Sequence, residues 1–412
     1  MELATTLTSQ TVQNAVREVG INPNYWYAVG WASQLKPKDI MPVVIWQQAI
    51  AIYRDQEGQL HALEDICPHK GIALHKGIVQ GCNLTCAYHG WEFNGNGQCV
   101  SIPYLPKEQK LPRAQARSFP ILEKYNLIWV FPGDPALAAT KEPPTMPEFD
   151  QPDWLMVPIV GHMKAHFSIC NENAMDVFHG FLHEKLQGWF DPVLLNLQEK
   201  EGTLCSKYSV SYQGRMAKFL GLSERADEVT TLPISIEYHY PHFSSSLEGI
   251  SSLYLMRLPV GPTETRSFAY FFFKVRLPQW LLRPLKPLLR TLIHRFVLVK
   301  FLAQDIEMME SEQRTYLVNP QQRYVEINPA IIALQRLIVR QYEQFMQQSS
   351  QQQNNRKTDA QVSDRDRVSE LGKGSAQAAP QELAVVTSGA SALSPAMESG
   401  KTEPTKDNSF IG

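Results

Sequence analysis

At 412 residues the chain exceeds what a single hydrophobic core usually serves, so two domains are expected. Its composition is ordinary for a globular protein, 43% hydrophobic and 19% charged, and a formal net charge of −2 gives no field that would gather nucleic acid. The six cysteines, four of them between Cys67 and Cys99, are too sparse for a secreted disulfide scaffold. The opening MELATTLTSQTVQNAVREVG lacks the basic start and apolar run of a signal peptide, and nowhere do eighteen apolar residues follow one another. A reducing, cytoplasmic setting is expected, in which clustered Cys and His point to metal.

Residues 1–23 read as a polar leader, and residues 24–135 as a compact β domain. VVIWQQAIAIYRD and QLHALEDIC are apolar, β-branched runs broken by Gly-containing turns. Asn94-Gly95-Asn96-Gly97 is a tight-turn signal between Trp91-Glu92-Phe93 and a strand over Cys99–Ile102. Within this domain Cys67-Pro68-His69 and Cys86-Ala87-Tyr88-His89 form C-x-H-x16-C-x2-H. One thiolate and one imidazole from each loop suit a [2Fe–2S] cluster, with Cys67 and Cys86 on one iron and His69 and His89 on the other. Neutral imidazoles in place of two thiolates reduce the cluster's negative charge and raise its potential. Gly71, Gly77 and Gly90 let the loop backbone fold closely around the sulfurs. A structural zinc site also uses two Cys and two His, but zinc fingers usually pair Cys with Cys and His with His. Cys82 and Cys99 read as small buried residues.

Residues 136–153, rich in Pro and without periodicity, read as a linker. Residues 154–346 read as an α+β domain, with strands over Tyr208–Tyr212, Ile234–Tyr240 and Ser267–Val275. Helices are expected over Asn173–Leu186, Pro284–Val318 and Ala330–Met346, the last carrying Ile331, Leu334, Leu337, Ile338 and Tyr342 at helical spacing. In the first of these, His179 and His183 are four apart and share one helical face, with Asp176 one turn earlier. Two imidazoles and one distant carboxylate would make a 2-His-1-carboxylate triad with open positions on Fe(II); zinc could use the same pair. His162 and His166, on an expected strand just before the motif, could approach the metal but read better as structural histidines.

Between Lys274 and Gln304 there are seven Lys or Arg and no acid, with a helical apolar stripe through Leu285, Leu288, Leu289, Leu292, Phe296 and Val299. Such a segment can lie on an anionic lipid surface, pack on a core with a solvated basic edge, or dock an acidic ferredoxin. Residues 347–412 are polar, with Phe410 their sole aromatic, and read as a disordered tail.

The stretch ALEDICPHKGIALHKGIVQGCNLTCAYHGWEFNGNGQC, followed by D-x2-H-x3-H from Asp176, resembles the Rieske non-haem iron oxygenases over about residues 24–346. Ile72 and Tyr88 stand where respiratory Rieske proteins carry an extra disulfide, and Trp91 where they carry a Ser. Fewer hydrogen bonds to sulfur imply a lower potential, suited to electrons from a ferredoxin or flavin reductase. Lys70 departs from the Arg more frequent in oxygenases. The resemblance is nearest to the pheophorbide a oxygenase, chlorophyllide a oxygenase and vanillate O-demethylase branch. It implies an all-β Rieske domain followed by a helix-grip (START-like) antiparallel-sheet catalytic domain. It further implies mononuclear Fe(II) on His179, His183 and Asp305, with Glu307 as the alternative to Asp305, and O2 as cosubstrate. By the same resemblance Asp176 bridges His179 to His89 of the partner subunit and carries the electron, which requires a homotrimer. Hydroxylation or oxidative demethylation of an apolar, cyclic substrate is the implied reaction. The alternatives are a Rieske electron-transfer protein fused to an apolar-ligand-binding domain, and a zinc-stabilised binding module.

Overall fold

The computed structural model describes residues 9–373, except 107, 184–188, 201, 215–216, 219–221, 226, 276 and 323. Helix α1 (Ser9–Ala15) leads into β1 (Tyr27–Trp31). A three-stranded meander follows, β2 (Ile40–Ile45), β3 (Gln48–Arg54) and β4 (Leu60–Glu64). Next comes the four-stranded β5 (Ile78–Gln80), β6 (Asn83–Thr85), β7 (Glu92–Phe93) and β8 (Cys99–Ser101). β9 (Ile121–Lys124) and β10 (Leu127–Val130) return to pair in the order β1-β10-β9.

The run VVIWQQAIAIYRD forms a hairpin, the end of β2 turning into β3. Its turn, Trp46-Gln47, has φ of 45° and 67°, the left-handed geometry a two-residue hairpin needs, without the Gly or Asn that usually signals it. Both turn amides donate to the carbonyls of Pro259 and Val260 at 2.8 Å, so the later half of the chain holds this turn in shape.

That later half is one seven-stranded antiparallel sheet. It comprises β11 (Trp154–Met163), β12 (Trp189–Lys200), β13 (Thr203–Tyr212), β14 (Thr230–His239), β15 (His242–Leu247), β16 (Ser251–Gly261) and β17 (Glu264–Lys274). Their order is β11-β17-β16-β15-β14-β13-β12. Between β11 and β12 lie α2 (Phe167–Met175) and a 3-10 turn (Phe178–His183). A continuous helical run then covers the β11 side: α3 (Gln279–Ile293), a π turn (His294–Leu298) and α4 (Val299–Val318). This is the all-β domain followed by a mixed helix and antiparallel-sheet domain that the sequence implied.

The helix expected over Asn173–Leu186 stops at Met175. Asp176 adopts extended backbone (φ −83°, ψ 113°) and its carboxylate accepts from the Phe178 amide at 3.0 Å, a local bond that competes with helix propagation. α5 (Pro329–Lys373) starts as expected, burying Ile331, Leu334, Leu337 and Ile338, but continues well past Gln347. Up to Gly372 that stretch holds no Gly or Pro, and its Gln and Arg residues are good helix formers whose polarity had argued for disorder. Residues 374–412 of the expected tail lie outside the described residues. No described helix is long and apolar enough to cross a membrane.

The two halves share a core. One cluster of buried side chains runs from Trp26 and Trp129 through Tyr238 and Phe272 to Leu334 and Ile338, and the described residues up to Gln351 form one compact unit. The expected leader and linker both join it. Val12 and Val16 are buried, Ala138 and Met146 sit in the core, and Glu148 accepts from Ser252 (2.6 Å) and Tyr254 (2.8 Å).

Candidate metal centres and the pocket between sheet and helix

The two Cys/His loops adopt the same turn. The Cys67 amide donates to Ile72 O (2.8 Å) and the Gly71 amide to Cys67 O (2.8 Å). The second loop repeats this, from Cys86 N to Trp91 O (2.9 Å) and from Gly90 N to Cys86 O (3.1 Å). Gly71 and Gly90 have φ of 73° and 68°, so each closes its turn in a conformation that disfavours a side chain. Cys67 and Cys86 are buried, and burial followed by the facing Cys86 thiol raises the pKa of Cys67. The His69 and His89 rings lie 4.6 Å apart, and His69 stacks on Trp91 at 4.5 Å. His89 is exposed, its ring 3.8 Å from that of exposed Tyr88.

Among the described residues, two sets of three metal-capable side chains converge within 4.8 Å, His179–His183–Asp305 and Asp55–Glu57–Cys82. The loop quartet is spread more widely. Donors on one zinc ion, each about 2 Å from it, would have to lie within roughly 4 Å of one another, so the quartet suits a dinuclear cluster better. Asp55 is engaged by the Glu57 and Gln59 amides and by His61 Nε2 at 2.9 Å. Cys82 does not follow its expectation: it occupies the two-residue turn between β5 and β6 and is exposed, whereas Cys99 is buried.

The second constellation forms where the 3-10 turn meets α4. His183 Nε2 lies 3.0 Å and His179 Nε2 3.8 Å from Asp305 Oδ1. Asn173 Nδ2 donates to the same oxygen at 3.3 Å, and His183 Nδ1 meets Gln304 Oε1 at 3.0 Å. Phe301 stacks on His183 at 3.9 Å. Trp189 closes the other side, its Nε1 donating to Val177 O (3.1 Å); a Cβ on Gly180 would lie 1.7 Å from that nitrogen. Burial lowers the pKa of His179 against the pull of Asp305 and Asp176, which favours the neutral ring that metals bind. His179 Nδ1 is buried without a well-formed hydrogen bond, the Asp176 backbone bearing on it at poor geometry. Two imidazoles and a buried carboxylate around one point fit a divalent metal with positions left open. Glu307 is exposed and outside this set.

The Asp176 carboxylate makes no hydrogen bond to His179. Its Oδ1 accepts from Phe178 N and, at 3.2 Å, from Asn328 Nδ2. It borders a polar cleft lined by Arg17, Glu172, Glu312 and Tyr324, which also reaches His179. Arg17 holds the cleft together through Ser168 Oγ (2.7 Å), both oxygens of Glu172 (2.5 and 2.8 Å) and Glu312 (2.7 Å). His166 is the N-cap of α2 rather than a strand residue, and its Nε2 meets Val19 O at 3.1 Å. His162 pairs with Glu264 at 2.7 Å on the exposed side of β11. Both histidines are thus engaged structurally.

From the triad an apolar pocket runs along the sheet. Ile159, Leu253, Leu255 and Phe271 floor it, and Val297, Phe301 and Leu302 roof it. Buried Arg257 stands at its metal end, bonded to Ser267 Oγ and to Cys170 O (2.5 Å). Sequence reasoning missed Arg17, Trp189, Arg257 and Asn328. Only Asn328 left a local trace, an Asn-Pro pair that caps α5.

Residues 25–125 match the family model described as the Rieske [2Fe-2S] domain, and residues 163–344 the vanillate O-demethylase oxygenase C-terminal domain. The chain is 36% identical over 344 residues to a 4beta-methylsterol monooxygenase of Methylococcus capsulatus, covering 81% of this chain and 91% of that one. It is 36% identical over 159 residues to the oxygenase component of dicamba O-demethylase of Stenotrophomonas maltophilia, covering 38% and 45%. Dicamba monooxygenase bound to 3,6 dichlorosalicylic acid has the same fold, with a TM-score of 0.65 at 24% identity over 81% of this chain and 99% of that one.

Proposed function

The chain belongs to the Rieske non-haem iron oxygenases, and from that premise we propose that it oxidises a methyl group on an apolar, polycyclic substrate held beside His179, His183 and Asp305. Family membership supports oxygenase activity over the electron-transfer and zinc-module alternatives, with a monooxygenase outcome favoured. When bound, the Rieske cluster supplies single electrons and the mononuclear iron activates O2. An electron-donor protein and a small-molecule substrate are the partners this chemistry requires.

In this reading Cys67, His69, Cys86 and His89 hold the cluster within a domain spanning 24–135. His179, His183 and Asp305 hold the second iron within a domain spanning 154–346. Asn173 and Gln304 orient the carboxylate and His183, and Phe301 and Trp189 keep water from the rings. Asp176 joins His179 to His89 of the partner subunit in a homotrimer. Two features favour this: His89 is exposed, and the Asp176 carboxylate borders an open cleft, steadied by Asn328. A ferredoxin or flavin reductase is the electron donor, and the basic helical run beside the pocket contacts a membrane surface.

The pocket suggests the substrate class. Its floor follows β17 from Ser267, paired with Gly161 and Arg257, to Phe273, paired with Leu155 and Ser251. At the usual rise per strand residue that is about 20 Å. The walls are apolar, with the Ser245 and Ser251 hydroxyls among the lining at the far end. An elongated, methylated lipid of the sterol kind fits this shape, in keeping with the named activity of the Methylococcus relative.

The observation that carries the reading is the convergence of His179, His183 and Asp305 within 4.8 Å at one end of an apolar pocket. Asp305→Ala tests it. The expected protein keeps the Rieske electron paramagnetic resonance signal and loses the second iron together with substrate-stimulated O2 consumption. Unchanged iron content and turnover would overturn the assignment. Screening O2 consumption across methylated sterols, tetrapyrroles, carotenoids and aromatic acids tests the substrate class.

A further inference from the structure

The helical run over the pocket is apolar on two sides. Leu289, Ile293, Val297 and Leu302 face inward and pack with Leu155, Val157 and Ile159. Outward stand Trp280, Leu288, Leu292, Phe296 and Val299, which are 77, 56, 42, 56 and 44% exposed. Spaced three to eight residues apart, they make one long external stripe. Besides its core-facing side and basic edge, the run thus carries a second apolar face.

Charge accompanies the stripe. Arg283, Arg290, Arg295 and Lys300 are exposed, with Lys286 half-buried among them. Among the described residues, the only ion pair from Lys274 to Lys300 joins Lys274 to Asp153 (3.7 Å). Burial, then crowding by Arg290 and Arg283, lowers the pKa of Lys286. Pro284 and Pro287 remove two helix amides from α3, so this helix gains from a surface to lie on.

We propose that this face, from Trp280 to Lys300, docks in the plane of an anionic lipid bilayer, which places the mouth of the pocket at the lipid surface. The inference rests on the oxygenase reading above and names where its substrate enters. Apolar side chains flanked by cations that form no ion pair among the described residues match a bilayer's acyl boundary and its negative headgroups. Phe296 points outward while its neighbour Val297 lines the pocket, so less than one helical turn separates lipid from cavity. An apolar molecule passing there avoids crossing water.

The test is sedimentation of the full-length, iron-loaded protein with phosphatidylglycerol-containing vesicles and with pure phosphatidylcholine vesicles. Binding to the anionic vesicles alone is expected, and it should weaken with added salt. Reversing three charges (Arg283→Glu, Lys286→Glu, Arg295→Glu) should lower the partition roughly tenfold or more. Leu288→Ser with Phe296→Ser should lower it too, leaving iron content and oligomeric mass unchanged. Brominated lipid should quench tryptophan fluorescence in the parent and less in Trp280→Phe. No binding to anionic vesicles, or equal binding by the charge-reversed protein, overturns the proposal. So does dissociation of the oligomer by the Leu288/Phe296 pair, which would give the face to a second copy of this chain. Vesicle binding requires no turnover, so its failure leaves the oxygenase reading to be judged by Asp305→Ala.

Discussion

In the proposed electron path Asp176 is the linking residue, and the fold holds it in a way the sequence did not foretell. It ends α2, caps the 3-10 turn that carries both histidines, and takes a hydrogen bond from Asn328, 152 residues on. Asp176→Asn keeps the shape and removes the charge. The expected protein retains both iron centres while turnover falls roughly 10- to 100-fold, the usual effect of losing a group that orients metal ligands. Metal analysis alongside kcat checks this, and unchanged kcat would contradict it. Gly90→Ala places a side chain at a φ of 68° and against Pro103, and should cost about 1 kcal/mol with a less stable cluster. Visible absorbance of the cluster during heating would show it. The proposed cluster ligands were legible because their chemistry lies in adjacent residues. Asp305, 122 residues from His183, was reached only through resemblance, since nothing local distinguishes it from any helix carboxylate.

The elements flanking the site are tied across the chain by buried polar groups. Arg17 follows α1 and pairs with Glu172 on α2, both largely buried, and with half-exposed Glu312 on α4. Arg17→Ala leaves Glu172 buried without its cation, and should destabilise the fold by about 3–5 kcal/mol. A lower thermal midpoint with weaker retention of the second iron is the expected readout. His166 and His242 make similar ties, to Val19 O and Trp26 O. Burial lowers their pKa values from 6.5 to about 3 and about 4. Both rings are neutral in the fold, whereas unfolded histidines take up protons below about 6.5. The unfolded state therefore binds more protons as pH falls, and stability present above 6.5 is lost on acidification towards 4. Each histidine contributes up to about 1.4 kcal/mol per pH unit in that window. His242→Gln should flatten the fall in unfolding midpoint between pH 7 and pH 5, and an unchanged slope would contradict the argument. None of this was visible in the leader, because an Arg among polar residues carries no mark of the carboxylates it will meet. The Pro-rich stretch 136–153 was equally opaque: without periodicity, a packed loop and a free linker read alike.

For the whole molecule, the class of architecture followed from local patterns, but the sharing of one core between the halves did not. The hairpin turn at Trp46-Gln47, held by Pro259 and Val260, shows why: its geometry is imposed from a distant strand. Function has the same character, for the account requires the cluster of one subunit to serve the iron of another. The most direct test pairs two inactive chains, Cys86→Ser without a cluster and Asp305→Ala without the second iron, unfolded apart and reassembled together. Mixed trimers should recover substrate-stimulated O2 consumption on the order of a quarter of the parent level, the statistical share of contacts joining an intact cluster to an intact iron site. Mixed assemblies of confirmed composition that stay as inactive as either chain alone would contradict transfer between subunits.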